Sequence, residues 1–524
     1  NFTLKDYVKE QHEVWYKKIF LKKKVSILKT FKKKVNYKQF PGEKFWKNYY
    51  KKLVNLDDHV SNKKILKIGK EIRIKVAEKH LGVKSDRVKF IEHSFGHIAY
   101  AYCAGPNYMK KGYVASLDAF GDFVNYSLYL FNPKRGVVNF KKILSGNNLI
   151  IARIYRYITL LLGMKPNEHE YKVMGMAPYA KDKYIEPIFK KFKEMQDVRG
   201  KYFKNKKMPK DSYFSLKEIF EGHRFDSISG ALQKYTEYLL KKWFNNVINP
   251  KVSKNLSIAG GIAMNVKANL EITNIKKIKT LFVPPSPDDS SQAIGACYAF
   301  RLSNKEKTYP LTNSYLGYEI DDKKVFRYVK NLSKNKFNIT NKNIINKAVS
   351  LLTQNKILGI SRGCSEFGAR ALGNRSIVCN PGNLGNIKKI NETIKNRDFW
   401  MPFAASILDS HKSKYFLMKK TNLHNYKYMT NCLNTKREFI SKIIAAVHPY
   451  DGTCRPQIVK SADNKFYYNL IKSFGLKTGT YALMNTSFNI HGYPIINNES
   501  QALEIFKNSN LDALILGDFL ISKY

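Results

Sequence analysis

Short apolar runs alternate with amphipathic stretches from about residue 87 to the end of the chain, with glycine or proline between them. This alternation is typical of an α/β fold, in which buried strands are followed by helices. Residues 344–354 carry apolar side chains at helical spacing and predict an amphipathic helix. Buried strands are predicted at 114–117, 256–259, 281–283 and 357–360.

Residues suited to ligand binding follow the first three predicted strands. Asp118 follows the first strand, Gly260 and Gly261 follow the second, and Pro284-Pro285 follows the third. In open α/β sheets, ligands collect beyond the carboxyl ends of the strands. We therefore expect a site at this edge of the sheet.

The chain divides into two regions. Its composition turns polar and charged between Leu302 and Asn343, so we place a boundary near residue 330 and predict domains at 1–330 and 331–524. Residues 1 to about 80 are rich in lysine and aromatic residues and predict helices joined by loops. A chain of 524 residues is long enough for two or three domains with substantial cores.

Composition excludes several classes of protein. Hydrophobic residues make up 44% of the chain and aromatic residues 13%, which argues against disorder. We find no apolar run long enough to span a membrane and no pattern typical of a secretory signal. The six cysteines form no CxxC pair, so neither a zinc cluster nor a disulfide framework is expected. These features predict a globular cytoplasmic protein with reduced thiols.

The formal charge of +51 has three interpretations. The lysines could bind nucleic acid, they could steer anionic substrates, or they could reflect a lysine-rich composition on solvated surfaces. The lysines are spread along the whole chain, with dense runs at 22–24 and 32–34, and no aromatic-interleaved basic motif of an RNA module is visible. We favour compositional bias, then anionic substrates, over nucleic acid.

Two histidines and two aspartates form a candidate metal site. His93 and His97 are spaced to share one face of a helix, which suits chelation of a single ion but equally suits two ordinary helix histidines. Asp118 follows a predicted strand, and Asp288-Asp289 follows a proline-rich turn. A mixed set of imidazole and carboxylate ligands suits Fe(II), Mn(II) or a similar ion.

Two further segments have open interpretations. The paired glycines in 258–269 allow close approach to a nucleotide, but they also suit a tight turn without a ligand. The segment 168–178 mixes acidic and basic residues before glycine and proline. It could be a solvated helix end, or it could line a substrate cleft.

Two glycine-flanked arginines, Arg370 and Arg375, resemble an anion cradle because guanidinium groups match phosphate oxygens. In so basic a chain, a single Lys or Arg is more often a surface residue. Further cations and, after a predicted strand, further polar residues join this candidate set: Lys395, Arg397, Arg455, Asn485, Thr486 and Ser487.

Together these segments resemble the O-carbamoyltransferase family, which includes nodulation protein U and the cephamycin and tobramycin carbamoyltransferases. The resemblance runs in order from about residue 88 to 524. It is carried by HSFGHIAYAY, VASLDAFGDF, EYKVMGMAPYA, IAGGIAMNVKAN, FVPPSPDDSSQAIGA, EFGARALGNRSIVCNP, IKNRDFWMPFAASIL with HPYDGTCRPQ, and LMNTSFNIHGYPII.

The resemblance implies an actin-like ATPase (ASKHA) N-terminal domain followed by a YrdC-like α/β C-terminal domain. It implies that carbamoyl phosphate and ATP react to a carbamoyl-adenylate in the second domain. The carbamoyl group then passes to a hydroxyl of a small molecule at a metal in the first domain. Fe2+ is the expected metal, with Mn2+ and Mg2+ as alternatives.

The resemblance also implies roles for individual residues. The metal ligands would be His93, His97, Asp118 and Asp289; Asp289 is preferred over Asp288 because the motif aligns on the aspartate before the small polar pair. The adenylate contacts would be Gly260, Gly261 and Asn265. The catalytic cations would be Arg370, Lys395 and Arg455, with further binding contacts predicted at Arg375, Arg397, Asn485 and Ser487.

The chain departs from the family pattern at two places. The family usually opens with a hairpin that includes a His-Asp pair. In residues 1–86 only Asp57-Asp58-His59 is weakly similar to this pair, so we expect the opening hairpin to be missing. Met401 stands where the family usually has arginine before Pro-Phe, and we expect Arg397 to compensate.

Two alternatives remain: an enzyme like the tRNA threonylcarbamoyl transferases, and an inactive homologue that only binds ligands. The acceptor and the oligomeric state, including a homo-oligomer, stay open. No nucleic-acid or membrane partner is expected.

Overall fold

The computed structural model describes residues 62–208, 213–333, 335–418 and 426–524. The lysine runs at 22–24 and 32–34 and the Asp57-Asp58-His59 segment lie outside these ranges. The α-helices of the described residues are α1 Asn62–Leu81, α2 His93–Cys103, α3 Ile151–Leu161, α4 Glu170–Met176, α5 Asp182–Met195, α6 Phe214–Phe220, α7 Phe225–Val247, α8 Val266–Thr273, α9 Gln292–Ser303, α10 Asp322–Lys330, α11 Ile344–Thr353, α12 Gly385–Ile390, α13 Lys412–Tyr415, α14 Arg437–Ile440, α15 Lys465–Thr478 and α16 Glu499–Asn508.

The described strands form two large sheets and two short ribbons. The first sheet and one ribbon contain β1 Gly112–Gly121, β2 Val124–Phe131, β3 Phe140–Gly146, β4 Gln196–Arg199, β5 Tyr202–Asn205, β6 Asn255–Ala259 and β7 Thr280–Phe282. The second sheet and the other ribbon contain β8 Phe337–Thr340, β9 Leu358–Ser361, β10 Arg375–Cys379, β11 Ala404–Leu408, β12 Leu433–Asn434, β13 Thr453–Cys454, β14 Gln457–Val459, β15 Ala482–Ser487, β16 Ala513–Leu516 and β17 Phe519–Lys523.

The first sheet has the order β3-β2-β1-β6-β7, with β1, β6 and β7 parallel and β2 and β3 antiparallel to their neighbours. The prediction that the first strand ends before Asp118 is wrong, because β1 continues to Gly121. The pairing register with β2 shifts between Leu117 and Gly121, so Asp118 lies at an irregularity where a strand can redirect a side chain.

The second sheet has the order β14-β11-β15-β10-β9-β16-β17-β8. It is mixed, with β9 parallel to β16 and antiparallel to β10. Asn485, Thr486 and Ser487 lie inside β15 and not after a strand as predicted. Asn485 pairs on both sides, with β10 and β11, whereas Thr486 and Ser487 pair with β10 alone at the end of the strand.

The predicted α/β character is confirmed. Helix α11 and strand β9 lie close to their predicted bounds, as do β6 and β7. Separate hydrophobic cores surround the two sheets, and the second core includes Ile320 and Val325. The domain boundary near residue 330 stays a prediction. Among the described helices, none combines the length and apolar character needed to cross a bilayer.

The part of the chain around the first sheet, which we call the first half, packs directly on the part around the second sheet, the second half. Phe282 at the end of β7 lies in one apolar cluster with Leu372, Tyr428 and Met429 of the second half. Buried hydrogen bonds reinforce the contact, since the Thr430 hydroxyl donates to the Val283 carbonyl at 2.9 Å.

Candidate functional site

The helices α2 and α9 touch at two glycines. A Cβ on Gly295 would lie 2.4 Å from the Gly96 carbonyl oxygen, and a Cβ on Gly96 would lie 2.2 Å from the Gln292 side-chain oxygen. The Gln292 amide donates to the His93 carbonyl at 3.0 Å. This close approach holds the first turn of α2 beside the turn that precedes α9, and so brings His93 and His97 next to Asp289.

The irregular end of β1 brings in the remaining carboxylate. A Cβ on Gly121 would lie 2.2 Å from His93 Cδ2, so only glycine leaves room for the imidazole ring there. Gly260 has φ of 93° and passes over the Leu117 carbonyl, where a Cβ would clash at 2.2 Å. The next backbone amide, that of Gly261, donates to Asp118 Oδ1 at 3.2 Å and fixes this carboxylate.

Four side chains therefore converge into one group, which we call the tetrad: His93, His97, Asp118 and Asp289. His93 Nε2 lies 2.9 Å from Asp118 Oδ2 and 3.2 Å from Asp289 Oδ1. His97 Nε2 lies 3.6 Å from Asp118 Oδ2 and 3.3 Å from Asp289 Oδ1. His97 is fully buried, whereas the Asp289 side chain is 71% exposed, so the tetrad opens towards Asp289.

Opposite charges dominate the electrostatics of the tetrad. Burial lowers the pKa of His93, but the carboxylates of Asp118 and Asp289 outweigh burial and raise this pKa to about 10. The neighbouring imidazoles of His93 and His97 lower the pKa of Asp289 to about 2. Burial favours the neutral acid at Asp118, yet the same histidines hold its pKa well below its usual range. Without a ligand, protons on the imidazoles balance the two carboxylates.

The tetrad fits a divalent metal ion. Its four ligand atoms lie within 4.8 Å of one another. Among the described residues, neither ring nitrogen of the fully buried His97 has a hydrogen-bond partner, which is costly unless something else coordinates it. Two imidazole nitrogens and two carboxylate oxygens are a borderline donor set that suits Fe(II) or Mn(II) better than a thiolate-loving ion.

A second group consists of four cations from the second half, which we call the cation cluster: Arg370, Lys395, Arg397 and Arg455. Lys395 is 2% exposed and the three arginines are partly buried. Burial and the charge of Arg397 lower the pKa of Arg370 to about 10. Burial and the charges of Arg370 and Arg397 hold the pKa of Arg455 far below its ordinary value. The cations therefore lie close enough to repel one another.

Counter-charges are scarce around the cation cluster. In the described ranges, no carboxylate forms a salt bridge with any of its four members. The Asp288 carboxylate of the first half partly offsets the repulsion, since its charge raises the pKa of Arg370. Buried like charges without partners are costly, so the cluster is suited to an anionic ligand.

Polar residues of β15 lie beside the cluster. Lys395 Nζ donates to Ser487 Oγ at 3.1 Å and to Asn489 Oδ1 at 2.6 Å. The Asn485 amide nitrogen donates to the Ala371 carbonyl at 3.1 Å, one residue from Arg370. The buried Asn485 Oδ1 has no hydrogen-bond partner among the described residues. The structure thus brings Lys395 and Ser487 into direct contact.

The guanidinium of Arg375 was predicted to bind an anion, but its partners in the structure are backbone carbonyls. It is fully buried at the start of β10, and its guanidinium donates to the backbone carbonyls of Asn497, Arg362, Gly363, Asn374 and Tyr318. These bonds use the guanidinium as an internal brace. Arg375 is therefore not a member of the cation cluster.

The predicted adenylate loop also has partners within the first half. Asn265 Oδ1 caps α8 by accepting from the Ala268 amide at 2.9 Å, and Asn265 Nδ2 donates to Gln233 Oε1 at 2.9 Å. Gly260 and Gly261 pack against the Asp118 region as described above. These contacts explain the residue types of the loop, and adenylate binding by them stays a prediction.

The structure gives the segment 168–178 a position between the halves. Lys172 Nζ lies 2.8 Å from Asp398 Oδ2, and a Cβ on Gly175 would lie 2.9 Å from Met401 Sδ. The Gly175 carbonyl accepts from His448 Nε2 at 2.9 Å. Met401, which replaces the expected arginine, thus packs at this contact beside the cation cluster.

Sequence reasoning missed His448 and Lys267, both of which join the two halves. Burial lowers the pKa of His448 to about 4, so its imidazole is neutral and can donate to Gly175. Lys267 contacts Asp451 and Thr453 of the second half. Their partners lie far away in the sequence, so no local spacing could have revealed them.

Two family models match this chain. The model described as Carbamoyltransferase N-terminus matches residues 2–298, and the one described as Carbamoyltransferase C-terminus matches residues 349–523. The first range contains the whole tetrad and the second contains the whole cation cluster.

Several known proteins are similar to this chain over most of its length. An uncharacterized protein of Methanocaldococcus jannaschii is 33% identical over 451 residues, which cover 83% of both chains. Nodulation protein NolNO of Sinorhizobium fredii is 28% identical, covering 84% of this chain and 65% of its own. Nodulation protein U of Bradyrhizobium diazoefficiens is 25% identical, covering 79% of this chain and 73% of its own.

Proposed function

Because this chain belongs to the carbamoyltransferase family, we propose that it is an ATP- and metal-dependent O-carbamoyltransferase that acts on a hydroxyl of a small molecule. At the cation cluster, water would release phosphate from carbamoyl phosphate, and the resulting carbamate would displace pyrophosphate from ATP to form a carbamoyl-adenylate. The carbamoyl group would then pass to the acceptor hydroxyl at the tetrad, with AMP as the leaving group. The observation that carries the proposal is the cluster of four cations, none of which forms a salt bridge with a carboxylate of the described residues.

Two anionic substrates require such a cluster. Carbamoyl phosphate and ATP repel each other, and fixed cations offset that repulsion and the charge that develops on the leaving phosphate. Arg370, Arg397 and Arg455 would bind phosphate oxygens through their guanidinium forks. Lys395 is held by Ser487 and Asn489 and would place a compact positive charge beside them.

The tetrad would hold the metal. His93, His97, Asp118 and Asp289 supply the four ligands, and Fe2+ is the favoured ion, with Mn2+ or Mg2+ as alternatives. When bound, the metal would act as a Lewis acid towards a carbonyl or phosphate oxygen. The protein's own part is to keep the ligand atoms fixed, through the Gly96–Gly295 contact and the amide of Gly261.

The finer fold assignment belongs to the same proposal. The first half would have the actin-like ATPase (ASKHA) fold and the second half the YrdC-like fold, with domains at 1–330 and 331–524. The mixed five-stranded and eight-stranded sheets are compatible with this assignment. A cytoplasmic location also stays a prediction.

The proximity of the two sites supports transfer inside the protein. Asp289 belongs to the tetrad, and the charge of the preceding residue, Asp288, raises the pKa of Arg370 in the cation cluster. An intermediate that is sensitive to water benefits from enclosure over a short path.

The test is formation of AMP and pyrophosphate from ATP, with and without carbamoyl phosphate, in buffer containing Fe(II) or Mn(II). We expect AMP release that depends on carbamoyl phosphate and falls about 100-fold or more in Arg370→Ala. The exposed Arg437→Ala on α14 is the matched control. AMP release that does not depend on carbamoyl phosphate would contradict the proposal and favour a homologue that only binds ligands. AMP release that depends on added tRNA would favour the tRNA-modifying alternative.

A further inference from the structure

A turn of the second half is anchored to the first half next to the cation cluster. The turn, residues 448–453, leads through β13 directly to Arg455. Lys267, near the start of α8 in the first half, donates to Thr453 Oγ1 at 2.8 Å and forms a salt bridge with Asp451. The Lys267 side chain is 13% exposed, so this ion pair is largely shielded from solvent.

The turn itself is rigid. Asp451 Oδ1 accepts from the amide of Thr453 at 3.0 Å and from its hydroxyl at 2.8 Å. The amide of Gly452 donates to the His448 carbonyl at 3.0 Å, and the amide of His448 donates to the Thr453 carbonyl at 2.8 Å. A rigid turn moves as a unit, so an anchor at Asp451 also fixes the strand that leads to Arg455.

The ribbon that pairs with this turn also lies on α8. Leu433 of β12 pairs with Cys454 of β13. The residue before it, Cys432, directs its thiol to the Val266 carbonyl at 3.2 Å, and Asn269 donates to the Thr430 carbonyl at 2.8 Å. The β12–β13 ribbon belongs to the second half and leads to Arg455, but it packs on α8 of the first half. Helix α8 is therefore the surface on which the Arg455 segment is placed.

We propose that Lys267 is a positioning residue for the cation cluster: by binding Asp451 and Thr453 it holds the turn that sets the place of Arg455. This inference rests on the proposed function, because it concerns how the same anion site is assembled. Lys267 lies two residues after Asn265, in the motif that resembles a nucleotide loop, yet its ammonium is bound by the other half. Without that ammonium, Asp451 would keep its bonds to Thr453 but lose its cationic partner, and the turn would lose its anchor on the first half.

The experiment compares full-length variants. Lys267→Met removes the charge and keeps the length, Asp451→Asn removes the partner's charge, and a third variant carries both changes. Lys241→Met is the matched control, since this lysine of α7 forms a similar but more exposed pair with Glu271 at 2.7 Å. The readouts are KM and kcat for carbamoyl phosphate in AMP release, and Mn2+ binding by calorimetry.

We expect each single change to raise KM for carbamoyl phosphate about 10-fold with kcat within about 2-fold, and the double change to cost no more than one single change. Mn2+ affinity and the control variant should match wild type. The inference is overturned if KM for carbamoyl phosphate does not change, or if the effects of the two single changes on KM add up in the double variant. It is also overturned if Mn2+ affinity falls as much as KM rises. If Lys267→Met does not fold, Asp451→Asn decides by the same criteria.

Binding of inorganic pyrophosphate separates this inference from the proposed function. If wild type shows no AMP release that depends on carbamoyl phosphate, the proposed function fails. The inference then stands only if wild type binds pyrophosphate and Lys267→Met binds it about 10-fold more weakly. Equal binding by both, or no binding by wild type, overturns it.

Discussion

The tetrad and the cation cluster place charge inside the same protein in opposite ways. In the tetrad, positive and negative groups alternate, and each stabilises the charge of its neighbours: the pKa of His93 rises to about 10 while that of Asp289 falls to about 2. In the cluster, neighbouring cations destabilise one another, and the pKa of Arg370 falls to about 10. The tetrad, whose charges are balanced, can bind a cation when its imidazoles release their protons. The cluster carries excess positive charge, and binding of an anion reduces the repulsion among its cations.

The two sites also differ in how they are supported. All four tetrad residues and the glycines that position them belong to the first half. The cluster residues belong to the second half, but Lys267 and Gly175 of the first half hold the turn that precedes Arg455. A change in the tetrad should therefore stay local, whereas a change at the contact between the halves should reach the cluster.

The largest expected effect comes from removing the most buried ligand of the tetrad. His97→Ala should weaken Mn2+ binding by about 100-fold or more, because the candidate group among the described residues has four members and no fifth to replace it. Pyrophosphate binding should be unchanged. Calorimetry with Mn2+ and with pyrophosphate measures the two affinities. His80→Ala, an exposed histidine on α1, is the control. Retention of Mn2+ within about 3-fold would show that His97 is not a ligand.

A smaller effect is expected from one cation of the cluster. Arg397→Ala should raise KM for both carbamoyl phosphate and ATP by about 10- to 100-fold, because we propose that Arg397 compensates for the absence of arginine at position 401. Mn2+ affinity should not change. Steady-state kinetics with Arg437→Ala as control measure this effect. Unchanged KM values for both anions would exclude Arg397 from the site.

A steric change tests how the tetrad is positioned. Gly121→Ala should weaken Mn2+ binding by about 10-fold, because the new Cβ would lie 2.2 Å from His93 Cδ2 and displace the ring. Gly112→Ala, at the other end of β1, meets its nearest atoms at 3.4 Å and should bind Mn2+ like wild type. Equal affinities for both variants would mean that the His93 ring has more freedom than the packing indicates.

The smallest effect concerns the pH dependence of the contact between the halves. Burial lowers the pKa of His448 from 6.5 to about 4, so between these values the unfolded chain takes up a proton that the folded chain does not. The free energy of unfolding therefore falls as the pH drops through this window.

At pH 5.5 this loss amounts to about 1 kcal/mol relative to neutral pH, and His448→Gln should not show it. Urea denaturation at several pH values measures the difference between the two proteins. Parallel pH profiles for wild type and variant would contradict a neutral His448 at this contact.

The sequence predicted local features well and distant contacts poorly. The helix that carries His93 and His97 and the strand before Gly260 could be read from periodicity and turn residues. That four ligand atoms converge depends on the contact between Gly96 and Gly295, about 200 residues apart, which spacing does not reveal. The family resemblance named the same four residues as metal ligands, and that role stays a prediction.

Arg370 and Arg375 show where sequence reasoning ended. Both are flanked by glycine and five residues apart, so both suited an anion cradle. Arg375 begins β10 and directs its guanidinium at carbonyls inside the fold, whereas Arg370 precedes the strand and faces other cations. The difference depends on where the strand begins, and boundaries are the least certain part of a sequence-based prediction. The same uncertainty placed Asn485 after a strand instead of within β15.

One peptide bond separates Asp288, whose charge raises the pKa of Arg370 in the cation cluster, from Asp289 in the tetrad. Ser286 and Ser290 donate hydrogen bonds to the Asp288 carboxylate, and these bonds restrict the conformation of the turn. Inserting or deleting a single residue here would shift the carboxylates of both sites at once. The turn therefore limits how the protein can evolve, because a change of length at this point alters the tetrad and the surroundings of the cation cluster together.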